Sequence, residues 1–480
     1  MTIKNFINFF LKVNNKNSFS LKKYFQSILI VLVFFSLWFS FLGYKLLDQD
    51  FIWDDFHLIR SFSLLELKNT WKGNWIPEGL ETPAYRPITT FLFHIQATFF
   101  KENIILQRLF VFFLIIILLC LVNILFFKIG FNQKENAFLS FLIIFSKIFT
   151  TLVAWLTLSH LLLCYIFYIS TIIFLINYIK LKKNNDFIFT IIFFFLTIFT
   201  REEGYTLPFV MLLFYIYFNN AKISFKYFND YFKIFTITSL IIISHYILRK
   251  TFVADAPTLN LQSTSFNDYF LSLQYSTFPG GIVSYSKIDT FFVRHWKIFN
   301  VFLIIFFFKK IISEKLKNPT VLKNNIFFLI LIFICCLPNL VSLRTFGIFL
   351  PTIFYLAIIT QTISYIFKSK LNNYFTNKFL TYIILTSLII SFYSFYLRSK
   401  EHLITMSQYS PNMIFAATNV FFGPNSNIFI VPPERKIKQV NFLKEMGIYK
   451  WVSFQEILDM KSKNILSNKV VVPKFKPLDH

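Results

Sequence analysis

The sequence predicts an all-α polytopic membrane protein, and three observations predict it. Of its 480 residues, 56% are hydrophobic and 21% aromatic, more apolar surface than a soluble fold can bury. Apolar runs of ~20 residues, each long enough to cross the hydrocarbon core of a bilayer, recur down the chain. The charge is strongly basic, 48 Lys and Arg against 23 Asp and Glu, and the basic residues gather in short segments between those runs. That is the distribution of the positive-inside rule, and it argues against nucleic acid as the partner of a chain of net charge +25.

The first span runs from about Tyr24 to Leu47. Lys4, Lys12, Lys16, Lys22 and Lys23 precede it, and Trp38 and Tyr44 stand where a cleaved signal would need small residues. It is read as a retained helix with its N-terminus in the cytoplasm. Residues 48–103 form a first outer loop, too polar to span, with Trp53, Trp71 and Trp75; amphipathic helices along the membrane surface suit it. Further spans are expected at Ile104 to Phe127, Ala137 to Phe149, Leu161 to Tyr178, Phe187 to Phe199, Tyr205 to Phe218 and Tyr231 to Leu248. A second long outer loop, 249–295, separates these from Trp296 to Phe308, Ile326 to Val341, Phe346 to Phe367 and Phe379 to Tyr396. The bundle therefore has about eleven helices. Their alternation puts every Lys-rich short loop on one side and both acidic pairs, Asp54/Asp55 and Glu202/Glu203, on the other. The spans at 137–149, 187–199 and 296–308 are short, and 150–160 reads as an outer break.

The composition changes after residue 397. Pro411, Pro424, Pro432 and Pro433 punctuate the tail, with strand-like Asn427 to Val431 and Lys469 to Pro473 around a helical pattern from Lys436 to Met446. The division is a membrane module, 1–397, and a small α/β appendage, 398–480, which an odd number of spans places outside. Cys120, Cys164, Cys335 and Cys336 lie inside apolar runs without CxxC spacing, so neither zinc nor a disulfide framework is indicated.

Candidate chemistry follows from charge where charge is scarce. Asp54 and Asp55 stand side by side directly after the first span. Two carboxylates a few ångströms apart cannot both ionise at their free values, and the raised one suits a general base. The same pair also suits a helix cap with a solvated neighbour. Arg86, in Pro83-Ala-Tyr-Arg-Pro87, suits an ion pair with an aspartate or a phosphate, or else a snorkelling anchor. Arg201-Glu202-Glu203-Gly204 sets a cation beside two acids at a helix end, fit to bind phosphate and sugar hydroxyl together or simply to mark a boundary; Gly204 permits close backbone approach. His160 falls in the outer break, and Arg344 follows the span ending at Val341; each reads as a substrate ligand or as a structural residue. A divalent cation on Asp54/Asp55 is compatible with this chemistry and not required by it.

Trp53-Asp-Asp55, Tyr85-Arg-Pro87 and the helix-terminal Arg201-Glu-Glu-Gly204 together resemble the GT-C superfamily of membrane glycosyltransferases. In pattern they are similar to the protein O-mannosyltransferase-like and transmembrane-TPR O-mannosyltransferase-like members, over roughly residues 25–365. The resemblance implies a GT-C-like bundle, a polyprenyl-phosphate sugar donor and an inverting transfer to an acceptor hydroxyl at the extracytoplasmic face of a prokaryotic inner membrane. It implies Asp54 or Asp55 as base, Arg201 and Glu202 positioning donor phosphate and sugar, and Arg86 supporting the first loop. The tail lacks TPR repeats, and the 150–160 break lacks the family's usual acidic residue, so glycan, lipid and protein acceptors all stay open. Two other classes compete: a flippase or transporter of lipid-linked glycans, and an O-antigen polymerase or ligase. A transporter would place charge mid-membrane in broken helices, and a polymerase would lean on outer-loop arginines. The acids here stand at span ends.

Overall fold

The computed structural model describes residues 21–41, 43–48, 59, 61–73, 84–101, 103–219, 225–253, 319–341, 348–368, 428–430 and 450–452. Among them the fold is a bundle of antiparallel helices around one fully enclosed helix. Asp54, Asp55, Arg344, the spans expected at 296–308 and 379–396, the second outer loop beyond residue 253 and most of the tail lie outside the described residues.

The first helix, α1 (Leu21–Phe41), ends earlier than its apolar run, and a 3-10 turn, Gly43–Asp48, follows. The cause is local. The chain folds back over the indole of Trp38, and a Cβ on Gly43 would stand 2.5 Å from Trp38 Cζ3. Trp38 itself is buried edge-on against Phe149, ring centroids 5.0 Å apart. The first outer loop holds two helices, α2 (Leu64–Thr70) and α3 (Pro87–Phe100). A reciprocal capping box starts α2: Glu66 N–H donates to Ser63 Oγ, and Ser63 N–H to Glu66 Oε2. Pro87 starts α3 at the one place where its missing N–H costs nothing.

The longest apolar run becomes α4 (Ile104–Ile129), capped by Asn103 and closed by Gly130 at φ 112°, where a left-handed residue costs least. The short span at 137–149 is resolved as two pieces, α5 (Gln133–Ile144) and α6 (Lys147–Ala154), bent by 57°. Ser146 caps the second piece and makes the break possible, its Oγ accepting from Phe149 N–H. The break expected at 150–160 is thus a helix end, an extended Trp155 and a buried 3-10 turn, Leu156–Leu158, leading into α7 (Ser159–Leu181). Helix α7 is mostly apolar and buried on nearly every side until Lys180 near its end, as a helix without a polar face must be in a bundle core. It packs against α4, α8 (Asn184–Thr200) and α9 (Leu207–Phe218). Phenylalanines fill these seams; Phe174 stacks on Phe193 at 5.4 Å. Helix α10 (Phe225–Phe252) lies on α8. Helices α11 (Pro319–Val341) and α12 (Phe349–Lys368) pair with each other and close the bundle against α9 and α5.

Three described helices are long and apolar enough to cross a membrane, 104–129, 156–181 and 231–252, and the bent α5–α6 pair makes a fourth if taken as one span. The outward faces carry Phe91, Phe99, Phe113, Phe232, Leu240 and Ile247, each more than half exposed, an apolar surface that suits lipid. The chain is a membrane protein. One polar contact inside the bundle runs from side chain to side chain between helices: Asn123 Nδ2 on α4 donates to Ser140 Oγ on α5 at 2.9 Å. The ends alternate as the sequence requires. Lys128 donates to Asn177 Oδ1 at 2.7 Å at one end of the bundle, while Arg86, His160, Arg201 and Arg249 meet at the other.

In the tail, β1 (Ile428–Ile430) falls on the expected strand. It pairs in parallel with β2 (Lys450–Val452), Phe429 opposite Trp451. The sequence reading had no strand at β2. The strand expected at 469–473 and the helix at 436–446 lie outside the described residues.

Candidate active site

Four segments meet at the non-lysine end of the bundle: the start of α3, the corner before α7, the turn after α8 and the end of α10. The sequence brings the acidic turn there by geometry. Helix α8 stops at Thr200, Arg201 is extended (φ −166°), and Glu202–Thr206 close a 3-10 turn before Pro208 opens α9. That turn lies flat on the end of α8 because residue 204 is glycine. A Cβ there would sit 2.9 Å from Ile198 Cδ1 and 3.3 Å from Ile198 Cα.

Two ion pairs organise the turn. Arg86, the residue before α3, reaches Glu202 Oε2 through Nε at 2.9 Å and Nη2 at 2.6 Å. Thr89 Oγ donates to the Thr200 carbonyl at 2.8 Å, so the first turn of α3 is docked on the last turn of α8 by both contacts. The second pair is Arg201 with Glu203, Nε to carboxylate at 2.7 Å. Arg201 is buried, and its Nη1 lies 2.7 Å from His160 Nε2. His160 in turn contacts the Thr157 carbonyl through Nδ1.

The electrostatics favour fixed charges. Burial pushes the Glu202 carboxyl up, but the charge and hydrogen bonds of Arg86, with help from Arg249, bring it down to about 2. Glu202 is therefore an acceptor only at neutral pH. Burial pushes the Tyr205 phenol up to about 12, so it keeps its proton. It donates to His245 Nδ1 at 2.7 Å, and His245 Nε2 donates to the Tyr85 carbonyl at 3.2 Å. Tyr85 hydrogen-bonds the Trp71 carbonyl at 3.0 Å, tying α2 to the same corner. Arg249, half-buried at the end of α10, hydrogen-bonds Tyr205 and acts on Glu202.

Of the expected site residues, the structure brings together Arg86, His160, Arg201 and Glu202. Asp54, Asp55 and Arg344 lie outside the described residues. Glu203 was legible as one of an acidic pair. Arg249 and His245 escaped sequence reading because each sits in or at the end of a long apolar run; a titratable residue in such a run is the signal that marks them. Arg108 escaped for the same reason. It is fully buried on α4, and its Nη1 donates to the Ala154 carbonyl at 2.5 Å, placing a cation on the C-terminus of α6. Among the described residues, no cluster of three His, Cys, Asp or Glu could hold a metal ion.

A helical membrane bundle with a corner of arginines and glutamates at one end defines the class, and comparison with solved structures defines the fold. The likeness is one of fold. The chain is similar to ArnT from Cupriavidus metallidurans bound to undecaprenyl phosphate, with 10% identity, 90% of each chain covered and a TM-score of 0.50. It also matches the Archaeoglobus fulgidus oligosaccharyltransferase in the apo form, with 12% identity, 97% of this chain and 62% of that chain covered, and a TM-score of 0.48. No protein-family model matches the sequence, and no curated protein matches it.

Proposed function

We propose that this protein is a membrane glycosyltransferase that moves a sugar from a polyprenyl-phosphate donor to an acceptor hydroxyl at the extracytoplasmic face. The observation that carries the reading is the clustering of guanidiniums at the corner. Among the described residues, Arg86, Arg201 and Arg249 gather around the carboxylates Glu202 and Glu203. Clustered guanidiniums suit a lipid phosphate, and the ionised Glu202, an acceptor only, suits a sugar hydroxyl. The undecaprenyl phosphate bound by the structural neighbour ArnT supports the donor class.

Asp54 or Asp55 takes the proton of the acceptor hydroxyl. The oxygen attacks the anomeric carbon, the bond from that carbon to the phosphate oxygen breaks, and polyprenyl phosphate leaves with its electron pair, inverting the sugar. The phosphate is already a good leaving group, so orientation, one base and arginine stabilisation are sufficient. Arg201 and Arg249 hold the phosphate, and Glu202 takes a sugar hydroxyl.

The test is transfer from a panel of radiolabelled polyprenyl-phosphate sugars by purified protein, with a membrane extract as acceptor. Wild type should transfer, and Asp54→Asn or Asp55→Asn should abolish transfer without loss of folding. Transfer that survives the double Asp substitution would overturn the mechanism.

A further inference from the structure

His160 stands where a substrate ligand was expected, yet both of its ring nitrogens are committed inside the protein. The Thr157 carbonyl can only accept, so Nδ1 carries the proton. The Arg201 guanidinium can only donate, so Nε2 presents its lone pair to Nη1 at 2.7 Å. The two neighbours together select one neutral tautomer. A cation on the ring would face the Arg201 N–H directly and add to Arg86 close by, with Glu202 and Glu203 the nearby carboxylates.

The consequence falls on Arg201. Its Nε is held by Glu203 and its Nη1 by His160, two contacts on different edges of a planar group. Contacts on two different edges hold the plane of a guanidinium more firmly than a contact on one edge. A carboxylate in place of His160 would cancel the Arg201 charge, which already faces Glu203. A neutral acceptor orients the guanidinium and leaves its charge in place.

The geometry points to His160 as a positioning residue that acts through Arg201, setting the plane in which Arg201 meets a polyprenyl phosphate, and not as a substrate ligand. This rests on the glycosyltransferase reading above.

Two isosteric substitutions separate the two halves of the ring. In His160→Gln the side-chain carbonyl reaches the place of Nε2 and still accepts from Arg201. In His160→Asn the amide nitrogen reaches only the place of Nδ1 and still donates to Thr157. The measurement is the affinity of the purified full-length chain for undecaprenyl phosphate, from ligand-induced shifts in Tm, with the Tm of the ligand-free proteins as a control. His160→Gln should bind within about threefold of wild type, and His160→Asn at least about tenfold more weakly. In an Arg201→Lys background the difference between Gln and Asn should vanish, because an ammonium has no plane to fix; this arm decides the matter if His160→Asn alone folds poorly. Equal binding by Gln, Asn and wild type, or better binding by Asn than Gln, would overturn the inference while leaving the function intact. No stabilisation of wild type by undecaprenyl phosphate would overturn the function and this inference with it.

Discussion

Replacing Arg86 by Met should unseat the acidic turn, and the size of the effect can be worked from Glu202. Burial alone would push that carboxyl up; the Arg86 charge and its two hydrogen bonds, with a smaller share from Arg249, hold it at about 2 against an ordinary 4.5. The difference corresponds to about 3 kcal/mol favouring the folded, ionised state at neutral pH. Only 19% of the Glu202 side chain is exposed, so screening by water removes little of this. Arg86→Met should therefore lose about 3 kcal/mol, the usual cost of stranding one member of a buried pair. The pH dependence has a definite sign. A carboxyl depressed in the folded state stabilises it above the unfolded value and loses that stabilisation as pH falls through the folded one. The gap between wild type and variant should be full above pH ~5 and close as pH drops toward 2. Adding Glu202→Gln to Arg86→Met should recover much of the loss, since no carboxylate is then left without its guanidinium. Chemical denaturation in detergent measures all three proteins. A single variant within about 0.5 kcal/mol of wild type at pH 7, or a double variant no better than the single, would refute the reasoning.

Two further outcomes follow from close contacts elsewhere. Gly204→Ala should cost about 1–3 kcal/mol, because its methyl meets Ile198 at 2.9 Å, and Ile198→Val, which removes that Cδ1, should restore part of the loss in the same denaturation assay. Arg108→Met should cost about 2 kcal/mol by removing the cation from the C-terminus of α6, and protease cleavage near residues 147–158 should speed up in the variant.

The sequence by itself determined the class and most of the described helix positions. Apolar runs of spanning length have no other stable form in lipid, and lysines at one end of successive runs fix which ends meet. That is why Ile104–Ile129, Ser159–Leu181 and Phe225–Phe252 fall where the pattern put them. The motifs at Arg86 and Arg201–Gly204 were legible because charge is rare in such a chain. Their partners were not. Periodicity does not say that Arg86 closes on Glu202 and Arg201 on Glu203, residues apart by 116 positions in one case and 2 in the other. Nor does it say that the short span at 137–149 is a bent pair capped at Ser146 and held by Arg108. Only the tertiary structure decided these, because an ion pair depends on which helix ends pack together, and that is settled by side chains far apart in the chain. The same packing made His160 a buried acceptor for Arg201, with its tautomer chosen by the two groups that the fold placed on either side of it.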